Sequence, residues 1–135
     1  MNADFVKSWD RNKDKLENYF RTTPQSNYDS YKKLVIALLN KVINVDRDPD
    51  WNDFNTERIH VINDGDYQGT LVFLVPESRY QPDSYFYTKV WYGSCSVCDT
   101  LQSIQSENYE EYPTDSQVES YMTLCLHMLQ QADII

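Results

Sequence analysis

Three short runs of strand-type side chains occupy the middle of this chain, and the spacers between them are too short to hold crossover helices. Arg58-Ile-His-Val-Ile-Asn63 is followed by Asp64-Gly65, a hairpin-type turn signal. Thr70-Leu-Val-Phe-Leu-Val75 ends at Pro76, and the polar stretch Ser78–Ser84 leads into Tyr85-Phe-Tyr-Thr-Lys-Val-Trp-Tyr92. Parallel neighbours need a connection of roughly a dozen residues or more. These spacings therefore predict an antiparallel sheet of about three strands.

Helical periodicity brackets the strands. Asp4 to Arg21 places Phe5, Trp9, Leu16 and Phe20 near one face. Thr22-Thr-Pro-Gln-Ser-Asn27 breaks it. Tyr31, Leu34, Val35, Leu38, Val42 and Val45 then follow helical spacing, and the additional Ile36 and Leu39 imply burial on more than one side. A short helix is expected from about Val97 to Ser106, then a loop over Asn108–Thr114 and a last helix from Asp115 to about Gln131. The expected fold is α+β, in the order ααβββαα, with the small antiparallel sheet packed against helices. At 135 residues the chain fits one domain, 1–135, with room for a core that needs no disulfide staples.

Charge is uneven along the chain. Of a net −9, residues 90–135 contribute seven acidic side chains and no Lys or Arg. They are Asp99, Glu107, Glu110, Glu111, Asp115, Glu119 and Asp133. Phosphate backbones are held mainly by cations, so direct nucleic-acid binding is disfavoured. An acidic face suits a partner protein with a basic surface, because opposite potentials speed encounter. Asp99, Glu107, Glu110, Glu111, Asp115 and Glu119 are the candidate partner-binding residues. The common alternative is that the charge only keeps a small protein dispersed.

The first residues show no apolar run after a basic start, so no signal peptide is expected. No apolar run approaches the roughly 20 residues of a membrane span. The three cysteines are an odd number without secretory context, which suggests reduced thiols in a cytoplasm.

Cys95 and Cys98 form a Cys-x-x-Cys pair where a strand gives way to a helix. Ser96-Val-Cys-Asp99 has the pattern of a capping box with Asp in place of Glu or Gln. With Ser96 as the N-cap, Cys98 would fall in the first helical turn, where free amides favour a thiolate. Asp99 opposes this through like charge. Strand, aromatic, Cys-x-x-Cys and helix also resemble the thioredoxin site locally. That fold needs a following strand and a later cis-proline beside the thiols, and neither is evident here. A structural zinc site needs four ligands. Only one clear pair is present, since Cys125 and His127 point about 200° apart on a helix. Cys125 falls on the apolar stripe, as a small buried hydrophobe, and His127 on the opposite face. No cofactor, metal ligand or catalytic residue is assigned.

Asp46, Asp48, Asp50, Asn52 and Glu57 occupy positions 1, 3, 5, 7 and 12 of a calcium-loop pattern. Trp51 replaces its essential glycine and a strand follows where a helix should, so a solvated loop is the better reading. In Tyr85–Tyr92 both faces carry large side chains. One face is expected to enter the core. Tyr85, Tyr87 and Trp91 could stack single-stranded bases, but the adjoining region is acidic.

Trp91-Tyr-Gly-Ser-Cys-Ser-Val-Cys-Asp-Thr-Leu-Gln102, with Tyr67-Gln-Gly-Thr-Leu-Val-Phe-Leu-Val-Pro76, resembles a family of small uncharacterised bacteriophage proteins. The resemblance covers about the middle third of the chain. It implies a phage-encoded protein acting in the cytoplasm of a bacterial host, and it carries over no catalytic residue. The leading expectation is a non-enzymatic interaction protein that binds and modulates a basic host or defence protein, in part by imitating DNA charge. The competing expectation is a thiol-dependent enzyme or metal-binding protein centred on Cys95 and Cys98. A virion component is a third.

Overall fold

The computed structural model describes residues 2–135 and has α+β architecture. Helix α1 spans Ala3–Thr22 and buries Phe5, Ser8, Asn12, Leu16 and Phe20, one face at three- and four-residue spacing. It opens on Asn2, whose side chain accepts the amides of Asp4 and Phe5. Helix α2, Tyr31–Leu38, runs on without a break through a wide π turn at Leu39–Ile43 and a 3-10 turn at Asn44–Asp46.

That wide turn corrects the expected apolar stripe. An i→i+5 turn holds an extra residue and rotates everything after it. Ile43 is thereby brought into the core, while Val45 is left 45% exposed. The buried Asn12 side chain donates to the Val42 carbonyl at 3.0 Å and to Asp46 at 3.1 Å, satisfying polar groups at the end of the helical run.

The sheet has four antiparallel strands in the order β1-β2-β3-β4: His60–Asn63, Gly69–Pro76, Tyr85–Tyr92 and Asp133–Ile134. The expected Asp64-Gly65 turn sits in a five-residue hairpin connection. Asp64 closes it by accepting the Thr70 amide at 2.6 Å. A Cβ on Gly65 would stand 1.9 Å from the Gln68 carbonyl oxygen, so the turn requires glycine. β4 is the strand not anticipated. It pairs Ile134 with Phe86 and Asp133 with Tyr87, and Tyr85 and Ile135 exchange two backbone hydrogen bonds beside it.

Two helices follow β3. α3 spans Thr100–Ser106 and α4 spans Asp115–Gln130. α4 begins with a full capping box, Thr114 and Gln117 satisfying each other's amides. The element order is thus ααβββααβ, with the last strand returning to the sheet.

The inner sheet face carries Phe73, Val75, Phe86 and Thr88, all buried. Phe5 of α1 lies 5.6 Å from Phe86 between ring centroids, and Thr88 donates to the Met128 carbonyl of α4 at 2.6 Å. Phe20, Tyr28 and Tyr121 form an aromatic cluster with centroids 4.9–5.3 Å apart. Apart from the polar Thr88, all these residues belong to one hydrophobic cluster. Tyr85, Tyr87, Lys89 and Trp91 alternate onto the outer face and are half-buried or exposed. Among the described residues no helix is long and apolar enough to cross a membrane.

Candidate functional site

The calcium-loop spacing does not assemble a site. Asp46 is taken by Arg11 at 2.8 Å and by Asn12, and the Arg11 guanidinium holds its carboxyl below the usual range. The Asn52 side chain accepts the Asp48 amide at 2.7 Å, and Glu57 lies in a separate 3-10 turn, Thr56–Arg58. The loop folds around Phe54, whose amide and carbonyl are both gripped by the Asn44 side chain. Among the described residues, no group of three or more His, Cys, Asp or Glu side chains is placed to hold a metal ion.

The segment from Gly93 to Gln102 is organised by Asp99. This carboxylate is 3% exposed and accepts three hydrogen bonds. They come from the Gly93 amide at 2.9 Å, the Tyr31 hydroxyl at 2.8 Å and the Gln102 amide at 2.9 Å. Tyr31 in turn accepts the Leu101 amide at 3.1 Å. Two first-turn amides of α3 are therefore capped, one by Asp99 and one by Tyr31. Burial, reinforced by the Asp99 carboxylate, holds the Tyr31 phenol well above its ordinary range, so it remains a donor at neutral pH.

This arrangement overturns two expectations. The N-cap is Asp99, not Ser96, and α3 starts at Thr100. Cys98 thus precedes the helix instead of lying in its first turn. Asp99 is also not a partner-facing charge, because it is spent inside the fold. The sequence did carry the signal. Asp99-Thr-Leu-Gln102 is itself an N-cap residue followed three places later by Gln, a commoner form of the pattern than Ser96-Val-Cys-Asp99.

The two thiols sit on the exposed side of this turn. Cys95 Sγ and Cys98 Sγ are 3.2 Å apart, and both residues are exposed. Cys98 Sγ also accepts the Cys95 amide at 3.3 Å and lies 3.8 Å from the Ser94 hydroxyl. The Cys95 thiol, the Cys95 amide and Ser94 together lower the Cys98 thiol to about 7. Cys125 differs in every respect: it is fully buried on α4, and burial pushes its thiol up. His127 is exposed on the same helix, as the helical spacing predicts.

Five of the six acidic candidates are exposed: Glu107, Glu110, Glu111, Asp115 and Glu119. Asp115 pairs with Arg21 at 2.5 Å, so its charge is already matched. Among the described residues the other four take part in no ion pair within 4.0 Å. The loop that carries Glu110 and Glu111 is fastened by its backbone. Gln25 donates to the Glu110 carbonyl at 2.9 Å and its amide to the Glu111 carbonyl at 2.8 Å. The fully buried Gln117 side chain donates to the carbonyls of Asn108 at 2.9 Å and Ile104 at 3.0 Å. With carbonyls turned inward, the Glu110 and Glu111 side chains remain at the surface.

Glu107 and Glu119 border a groove of about 590 Å³ between α3 and α4. Ser103, Ser116, Ser120 and Thr123 supply hydroxyls along it, and Cys98 and His127 stand among its walls. No Lys or Arg lines it. Sequence reasoning named the two glutamates but not the groove, which depends on how a seven-residue and a sixteen-residue helix pack. No family model, curated protein or solved structure matches the chain.

Proposed function

We propose that this protein is a phage-encoded, non-enzymatic interaction protein that binds and modulates a basic protein of the bacterial host or its defences. The supporting observation is a set of exposed glutamates without ion-pair partners among the described residues: Glu107 and Glu119 on a groove that offers carboxylates and hydroxyls but no lysine or arginine, and Glu110 and Glu111 on the fastened loop that follows α3. A Lys or Arg side chain of the partner would find hydrogen-bond acceptors there and no competing Lys or Arg. Rim charges of this kind govern encounter more than residence. Because the loop backbone is tied to Gln25 and Gln117, little ordering is needed on binding. The same charge supports imitation of a DNA surface as the route to a nucleic-acid-binding target.

The test starts with capture of a partner from host lysate and continues with association kinetics at two salt concentrations. Changing Glu107, Glu110, Glu111 and Glu119 together to Gln should slow association at low salt about tenfold, and dissociation far less. The salt dependence should flatten with it, since exposed charges are screened over about 8 Å at physiological ionic strength. An unchanged association rate would sink the acidic-rim reading. So would tight binding of single-stranded DNA by the protein alone, which would turn attention to Tyr85, Tyr87 and Trp91.

A further inference from the structure

The pair Cys95 and Cys98 is independent of the acidic rim and has chemistry of its own. Their sulfurs are 3.2 Å apart on a turn that projects into solvent, with the intervening Val97 93% exposed. The turn is closed without a covalent link, since the Cys95 carbonyl accepts the amides of Cys98 at 3.2 Å and Asp99 at 2.8 Å. Its base is fixed by Asp99 through Gly93 and Tyr31. A Cβ on Gly93 would stand 2.8 Å from Cys98 Sγ, so the glycine makes room for that sulfur. The chain thus holds two accessible thiols in contact on a preformed support, away from the packed core.

We propose that Cys95 and Cys98 form a thiol–disulfide exchange site that reacts with low-molecular-weight disulfides and closes to an intramolecular disulfide. Cys98 is the attacking sulfur, because the hydrogen bonds from Cys95 and Ser94 stabilise its thiolate. Its thiolate attacks one sulfur of the external disulfide. That S–S bond breaks, one external thiolate leaves, and a mixed disulfide forms on Cys98. Cys95 then gives up its proton to solvent and attacks Cys98 Sγ. The bond from Cys98 to the external sulfur breaks, and the second external thiolate leaves. The two protein thiols lose two electrons and two protons, and the external disulfide becomes two thiols. Cys125 takes no part, since no reagent reaches it in the folded chain.

Oxidised glutathione is the probe, read by intact mass and peptide mapping. The wild-type chain should finish two hydrogens lighter, with no lasting glutathione adduct. Cys95→Ser should stop at a stable adduct on Cys98. Cys98→Ser should form its adduct on Cys95 about tenfold more slowly near pH 7, because the Cys95 amide and the Ser94 hydroxyl favour a thiolate at Cys98 and not at Cys95. Alkylation of Cys98 by iodoacetamide should rise with pH about a midpoint near 7. Modification of Cys125 reports unfolding in every sample, and Cys→Ala at the same position replaces any serine variant in which it appears. A lasting adduct on the folded wild-type chain, or equal adduct rates in the two folded single variants, would overturn the proposal.

Discussion

Asp99 and the glutamates of the rim are the same kind of side chain within twenty positions of one another, yet the fold uses them in opposite ways. Asp99 is enclosed and meets three donors, from β3's end, from α2 and from α3. Glu107, Glu110, Glu111 and Glu119 are exposed. The difference lies in what faces each group. A buried carboxylate is tolerated only where donors converge on it, and it then fixes the elements that supply them. An exposed carboxylate has water for a partner and contributes to the surface potential instead. Counting acidic residues along the chain merges these two roles.

Replacing Asp99 should have the largest effect. Asp99→Ala removes the N-cap of α3 and leaves the Gly93 amide without its acceptor inside the fold. Unsatisfied buried donors and a lost cap together should cost about 3–4 kcal/mol. Urea denaturation followed by tryptophan fluorescence should show a lower midpoint at unchanged slope. A loss below about 1 kcal/mol would put Asp99 with the surface acids and erase the contrast.

Gly93→Ala comes next. Its Cβ would lie 2.8 Å from the Cys98 carbonyl carbon and 2.9 Å from the Asp99 amide nitrogen, both backbone atoms that cannot rotate away. Overpacking of this kind costs about 2 kcal/mol. Gly93 does not have a positive φ, so the cost arises from contact and not from backbone strain. The same variant should change the alkylation rate of Cys98, because its sulfur must shift. An unchanged rate together with an unchanged urea midpoint would show that the turn is not built on this glycine.

These sites explain which parts of the fold could be read from the sequence. The two long helical runs and three strands declare themselves because periodicity and turn residues repeat over many positions. Phe5, Leu16 and Phe20, or Phe73 and Val75, each restate the same message. β4 has only two residues, and nothing local distinguishes Asp133-Ile134 from a frayed end. The π turn at Leu39–Ile43 has no local sequence signal, and the Asn12 side chain that meets its Val42 carbonyl is thirty positions away. Tyr31 and Asp99 meet across sixty-eight positions, so no window along the chain contains both. The Asp99 cap was legible, through Gln102 three residues on, but it competed with an overlapping pattern. The groove between α3 and α4 was not legible, because it is a property of packing and not of any residue.

Tyr31→Phe should be milder than either change. The hydroxyl donates to Asp99 and accepts from Leu101, so its removal leaves each with one partner fewer while the ring still fills its place. A loss of about 1–2 kcal/mol is expected. Combined with Asp99→Ala, it should cost less than the two single losses added together, because the pair shares one hydrogen bond. Strict additivity would mean that Tyr31 and Asp99 stabilise α3 separately.

The smallest expected effect on stability belongs to the rim. Changing Glu107, Glu110, Glu111 and Glu119 to Gln keeps side-chain size and breaks no ion pair found among the described residues. The hydrogen bonds that fasten the loop use the carbonyls of Ile104, Asn108, Glu110 and Glu111 and are untouched. Removing four negative charges from a chain of net −9 relieves self-repulsion, so any change in stability should be within about 0.5 kcal/mol and slightly favourable at low salt. Added salt should reduce the gain, since it screens the repulsion being relieved. A loss of more than about 1 kcal/mol that persists in high salt would mean that these glutamates hold the fold, as Asp99 does, and the distinction between a structural and a presented carboxylate would fail for this protein.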